Sequence, residues 1–104
     1  MDKEKNARIE KTFLGIEDHR FFTFFLHLDY GDSGHQGAGG YVLVGKSFGI
    51  IRKILEMVGI NEWEELSGKH IKVKATHGGV CAIQNILGGE WLDFDEYFEG
   101  VKNA

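Results

Sequence analysis

Between His19 and Asp29 the side chains alternate in a way only a β-strand can use. Phe22, Phe24, Leu26 and Leu28 fall on one face, and Phe21, Thr23, Phe25, His27 and Asp29 on the other. The first face is fully apolar and predicts a sheet packed on a core. The second is apolar at one end and polar at the other, so it must meet a helix, a partner or a ligand. Ala7 to Ile16, with Ile9 and Phe13 on one face, predicts a preceding strand. Glu17-Asp18 then makes the turn of an antiparallel hairpin.

The chain has no proline and 15 glycines, so glycine must form nearly every turn. Met1 to Asn6 is polar and expected to fray. Gly31 to Gly40 reads as a glycine-dense loop, followed by a short strand at Tyr41-Val42-Leu43-Val44. Ser47 to Val58 is an amphipathic helix with Phe48, Ile51, Leu55 and Val58 on one stripe, Ile54 beside it and Gly59 as its stop. Asn61 to Gly68 has the form of a capped helical turn. Lys69 to Ala75 alternates with Ile71 and Val73 inward. A Gly78-Gly79 turn leads to a strand from Val80 to Leu87, and Asp93 caps a last helix through Phe98, with Glu96 completing a capping box. The order β-β-β-α-α-β-β-α predicts an α+β fold: a mostly antiparallel sheet flanked by two or three short helices, in one domain of 104 residues.

Charge and cysteine content narrow the function. A net charge of −4 argues against DNA or long RNA but leaves room for a mononucleotide held by a few local donors. With Cys81 as the single cysteine no internal disulfide can form, and a reducing compartment fits. The start of the chain has no signal-peptide pattern, and the apolar run from Phe21 to Leu28 is too short to span a bilayer. The expectation is a cytosolic protein without membrane contact. Eight phenylalanines and two tryptophans are a heavy apolar load for this length, enough to leave surface for a subunit interface.

Gly40 to Ser47 matches the P-loop expression, but Tyr41-Val42-Leu43-Val44 prefers an extended strand to a phosphate-wrapping loop, so the match reads as a decoy. Lys46 beside a helix N-terminus could still touch one phosphate. The glycine-dense loop lets backbone amides approach a ligand, with Ser33, His35 and Gln36 as side-chain donors and acceptors. His19, His27, His35, His70 and His77 are scattered without zinc-ligand spacing, so no metal or cofactor is expected. Asp18-His19 beside a strand could form an acid/base pair or an ordinary turn. Asn85 among Ile83, Ile86 and Leu87 either completes a buried network or reads a ligand. Trp63 and Trp91 read as core anchors, or as rings that could stack on a base at a pocket rim.

Taken together, Glu17-Asp18-His19, Leu28-Asp29-Tyr30-Gly31, Gly39-Gly40-Tyr41, Trp63-Glu64-Glu65-Leu66, Gly68-Lys69, Ile83-Gln84-Asn85-Ile86, Trp91 and Asp95-Glu96 resemble a family of small phage proteins. The chain is similar over nearly its whole length to the first family of phage anti-Thoeris proteins, sponges that sequester a cyclic ADP-ribose signal made by host TIR enzymes. The resemblance implies a homo-oligomer, a dimer or larger up to a hexamer, in the host bacterial cytosol. It would bind glyco-cyclic ADP-ribose, or a cyclic oligonucleotide, without cleaving it. Arg20 stands where glycine is usual in that family, Ala38 replaces an aromatic residue, and the connection after Tyr41 is short. On this reading Arg20, Ser33 and Lys46 would serve a pyrophosphate, and Asp18, His35, Gln36 and Asn85 the ribose hydroxyls. Tyr41 would stack on a base, and His19 would stand beside Asp18 at the pocket. A protein–protein inhibitor, another phage accessory factor and a small nucleotide-degrading enzyme are the alternatives.

Overall fold

A computed structural model describes residues 3–102. The six strands are β1 (Lys3–Ile16), β2 (Phe22–Asp29), β3 (His35–Gly39), β4 (His70–Thr76), β5 (Gly79–Asn85) and β6 (Leu92–Asp93), and the two helices are α1 (Gly49–Val58) and α2 (Phe94–Lys102). One antiparallel sheet runs β3-β2-β1-β4-β5-β6, so the chain has the α+β architecture its patterning predicts. Among the described residues no helix is long and apolar enough to cross a membrane.

The long β1 is the spine of the sheet. Its first part, Lys3 to Arg8, pairs with β4, and its second, Arg8 to Ile16, pairs with β2. The switch occurs at a bulge: Ile9 opposes Leu28 and Lys11 opposes His27, leaving Glu10 as the extra residue. A second bulge lies at Cys81, between the Ala75–Val80 and Lys74–Ala82 pairs. Bulges bend and twist their strands, and here the sheet curls until its far parts meet. The Gln36 side chain at the start of β3 donates to the Thr76 carbonyl at the end of β4 over 2.9 Å.

The inner face of this half-barrel is the core. Ile9, Phe24, Leu26, Leu28, Ile71, Val73 and Ile83 are fully buried there, joined by Ile50 and Ile54 of α1, Leu66, and Phe94 of α2. The helical stripe is therefore rotated from the expected one. Ile50 and Ile54 are at its centre, Ile51, Leu55 and Val58 flank it, and Phe48 is exposed. α1 ends as expected, with Gly59 in the left-handed conformation donating its amide to the Leu55 carbonyl. Asp93 caps α2 by accepting the Glu96 amide. At the 3-10 turn Trp63–Leu66 the entry is closed by Glu65. Its carboxylate accepts the amides of Asn61 and Glu62.

Three expectations give way. Lys3 to Asn6 is not a frayed end but part of β1, held by β4. The glycine-dense segment is not one loop: Gly31–Ser33 is a short 3-10 turn, and His35–Gly39 is an edge strand paired with β2. Conversely, Tyr41 to Val44 forms no strand. It keeps alternating burial, with Leu43 in and Val42 and Val44 out, but only the Leu43 amide reaches the β2 backbone, at Phe22.

The β1–β2 turn holds Arg20 at φ 71°, the one described non-glycine residue with positive φ. A side chain there costs about 1–2 kcal/mol, more than the roughly 0.4–1 kcal/mol of unfolded-state freedom that glycine adds. Arg20→Gly is expected to raise stability by about 0.5–1 kcal/mol, read as a higher urea midpoint at unchanged slope. A lower midpoint would show that the arginine side chain makes a compensating contact.

Candidate functional site

The glycines of residues 31–40 are explained first by the fold. Gly31, Gly34, Gly39 and Gly40 all have positive φ, which side chains rarely adopt. A β-carbon at Gly37 would collide with the Phe25 ring, and one at Gly39 would lie 2.5 Å from the Phe24 carbonyl. Chain reversal and close packing thus account for most of this segment. Its beginning does something else.

At one end of the half-barrel the inner-face rows change from apolar to polar. Along β1 the row runs Ile9, Ala7, Lys5, Lys3; after β2, Leu28 is followed by Tyr30; along β3, Ala38 is followed by Gln36. These polar ends line a cleft of about 320 Å³ with His35, Thr76 and His77. Lys3, Lys5, His35 and His77 bring positive or protonatable nitrogen, and among the described residues that line it none carries a carboxylate. In a chain of net charge −4 this is a local site for an anion. Barrel mouths are a common place for small-molecule sites, and this volume is at the small end of their range.

The cleft walls are held by a chain of hydrogen bonds. The Tyr30 hydroxyl donates to Gln36 Oε1 over 2.7 Å, and Gln36 Nε2 donates to the Thr76 carbonyl. A carbonyl only accepts, so the amide must present its NH₂ to Thr76 and its oxygen to Tyr30. Burial raises the Tyr30 pKa. The Lys5 ammonium stands 4.7 Å from the Tyr30 ring centroid, a cation–π distance that places one charge at the cleft, with no acidic partner among the described residues. Behind this wall Asp29 anchors the turn. Its carboxylate accepts the Gly31 amide at 2.7 Å and lies 3.4 Å from Arg8 and 3.7 Å from His35. The Gly31 amide above all, then His35 and Arg8, hold the Asp29 carboxyl below the usual range. Glu10 lies 3.6 Å from the same His35 nitrogen.

Of the residues singled out from the sequence, His35 and Gln36 are at this cleft, although Gln36 is largely engaged as its clasp. Ser33 lies in the adjoining turn, its side chain outside what the structure describes. The others lie elsewhere. Asp18, His19 and Arg20 form the β1–β2 turn, where Glu17, not Asp18, pairs with His19 at 3.2 Å. Although partial burial alone would raise it, hydrogen bonds from the His19 ring and the Phe21 and His19 amides hold the Glu17 carboxyl low. Asn85 is a structural residue: it donates to the Met57 carbonyl at 3.0 Å, closing the end of α1, and accepts the Leu87 amide. Lys46 and Asn85 also border a larger groove of about 680 Å³ beside α1 and α2. There Glu56, Glu90, Asp93 and Glu96 outweigh Lys46 and Lys53, the wrong balance for a pyrophosphate. The P-loop expression fails physically, because Ser47 is buried and its hydroxyl exchanges hydrogen bonds with the Val44 backbone.

Tyr41 is not free to stack on a base. Its ring lies 4.3 Å from that of Phe98, nearly parallel, with Phe94 and Phe24 around it, and its hydroxyl donates to Asp95 at 3.3 Å. Burial, with the Asp95 carboxylate next, pushes its pKa up to about 12. Unfolded tyrosine ionises at about 10, so between pH 10 and 12 the native chain keeps a proton that the unfolded chain releases. Stability from this group is complete below pH 10 and falls as pH rises through that window. Ultraviolet titration should show a tyrosine near pH 12 that is absent in Tyr41→Phe; ionisation of all three tyrosines at the ordinary value would contradict this packing.

Lys3, Lys5, Tyr30, Thr76 and His77 were not among the ligand residues read from the sequence. The signal for two of them was present: continuing the Ile9-Ala7 row backward by twos places Lys5 and Lys3 on the core face. Among the described residues no group of three or more His, Cys, Asp or Glu side chains could hold a metal ion. No protein-family model, curated protein or solved structure matches the chain.

Proposed function

We propose that the protein is a non-catalytic binder of a compact nucleotide-type anion, seated at the mouth of the half-barrel. In this reading it acts in the bacterial cytosol as a phage sponge, removing a cyclic nucleotide immune signal of the glyco-cyclic ADP-ribose type, in an assembly of several copies. The observation that carries the reading is the cleft of Lys3, Lys5, His35 and His77, with no carboxylate among its described lining residues, within an acidic chain. A phosphate or pyrophosphate would take charge-assisted hydrogen bonds from these groups. The second Gln36 N–H suits a ribose oxygen, whereas the Thr76 hydroxyl is already used in its own turn, donating to the Gly79 carbonyl and accepting the Gly78 amide. Sequestration requires affinity and protein concentration only, so it needs neither nucleophile nor general base.

The test is retention followed by release. Purified protein is incubated with glyco-cyclic ADP-ribose, freed of unbound ligand and heat-denatured, and the supernatant is analysed. Intact ligand in the supernatant supports the reading. A linear product would make the protein an enzyme, and an empty supernatant, repeated with cyclic dinucleotides, would end the proposal.

A further inference from the structure

The groove of about 680 Å³ beside α1 and α2 has no part in anion binding, yet it is lined like a binding surface. Glu96, Tyr97, Gly100 and Val101 follow the three-and-four spacing of one helical face, so this side of α2 forms one wall. Met57, Leu92 and Tyr97 supply an apolar floor packed against the core. Glu90 and Glu96 are exposed beside it, and their carboxylates make no hydrogen bond or ion pair with any described residue. Asp93 uses one oxygen in the α2 cap, and Glu56 is shared with Arg52 at 3.1 Å. The Trp91 ring already carries the Lys74 ammonium at 4.5 Å, so the two unengaged carboxylates are what read a cation here. Lys46 and Lys53 leave the groove net negative.

Gly100 is a helix residue that nothing within the described chain requires to be glycine. Its φ is not positive, and a β-carbon would meet no described atom within 4 Å beyond the adjoining helix backbone. Glycine weakens a helix relative to alanine, so the fold alone favours a larger residue. Gly100 follows Glu96 by four positions, one turn along the same face. A cation paired with Glu96 therefore extends its stem over this bare backbone. The missing side chain is room for something outside the chain.

We propose that this groove docks a basic, partly apolar peptide segment of a partner protein, with one lysine or arginine at Glu90 and Glu96 and its stem over Gly100. Charge decides among occupants. Nucleic acid and anionic lipid are repelled by these carboxylates, and a second copy of this chain brings a net charge of −4, the same sign. A polyamine matches the charge but has no apolar side chains for Met57, Leu92 and Tyr97. A short basic segment carries both, and the volume suits a few residues rather than the face of a domain. This docking does not depend on the anion reading, because the two sites share no lining residue.

Fluorescence anisotropy with a short labelled peptide of alternating lysine and leucine tests it. Micromolar binding is expected, with alternating lysine–serine and glutamate–leucine peptides at least about tenfold weaker. Glu90→Lys and Glu96→Lys should each weaken the lysine–leucine peptide at least about fivefold, with circular dichroism checking their fold. Glu64→Lys, the same charge change outside the groove, should leave it unchanged. Gly100→Ala separates docking from folding: it should raise the urea midpoint yet weaken binding at least about threefold. Several results would each overturn the proposal: no binding at about 1 mM protein, equal affinity for either control peptide, or an equal loss in Glu64→Lys. Displacement by equimolar spermidine, or a Gly100→Ala protein with unchanged affinity or a lower midpoint, would do the same.

Discussion

Phe24→Ala is expected to lower the unfolding free energy by about 3–5 kcal/mol, the range for deleting a buried aromatic side chain. Phe24 is fully buried at the point where sheet and helices meet. Its ring centroid lies 5.8 Å from Phe94 of α2, 6.3 Å from Tyr41 and 6.4 Å from Trp63. Its backbone also receives the Gly40 amide, which fixes the chain leaving β3. Removing the ring leaves three aromatic neighbours without a surface to pack on, and rigid rings close a cavity poorly. A domain of this size has about 5–15 kcal/mol in total, so the variant should be near the edge of folding at 37 °C. Phe24→Leu keeps most of the volume and should cost under about 1.5 kcal/mol. Urea unfolding measures both. A loss below about 1 kcal/mol for the alanine variant would mean that the aromatic cluster is not packed around this ring.

Charge reversal at the cleft should have the largest effect on binding. Lys5→Glu removes a cation that faces the cleft and puts a carboxylate beside the ligand's phosphates. Losing one charge-assisted hydrogen bond costs about 1.5–3 kcal/mol, and the added repulsion acts in the same direction. Affinity for a cyclic nucleotide should therefore fall at least about 30-fold, most strongly at low salt. Lys5 is half-buried with its ammonium over the Tyr30 ring, so Lys5→Gln serves as the control for loss of charge without reversal. It should keep the fold and bind with intermediate affinity. Calorimetry across 50–300 mM salt reads both effects, and equal affinity in all three proteins would place the ligand elsewhere.

The fold was legible wherever apolar side chains repeat along a regular element. Phe24, Leu26 and Leu28 mark β2, Ile71 and Val73 mark β4, and Gly59 and Asp93 mark the helix ends, because each of these signals is local. His35 to Gly39 was illegible as a strand since three of its neighbours and two of its own residues are glycines, poor strand formers in isolation. What makes it a strand is the ladder from β2 and the Phe25 ring that occupies the space a side chain at Gly37 would need. Tyr41 to Val44 misled for the complementary reason. Its alternation is real, but the ladder that would use it is replaced by packing of Tyr41 on Phe98.

The site was legible only in part. His35 and Gln36 stand out through their glycine-dense surroundings, whereas Lys3 and Lys5 look like a solvated terminus until β4 is known to hold them. Asn85 drew notice as a polar residue in an apolar strand, and the two carbonyls ending α1 explain it. Which polar residues converge depends on how far the sheet curls, and the bulges at Glu10 and Cys81 that set the curl carry no motif.

The most direct test is the location of the bound anion by nuclear magnetic resonance. On titration with glyco-cyclic ADP-ribose, the account predicts saturable shifts confined to Lys3, Lys5, Tyr30, His35, Gln36, Thr76 and His77, with the Trp91 and Tyr97 signals of the larger groove unmoved. Shifts centred on that groove, or none at millimolar ligand, would contradict it.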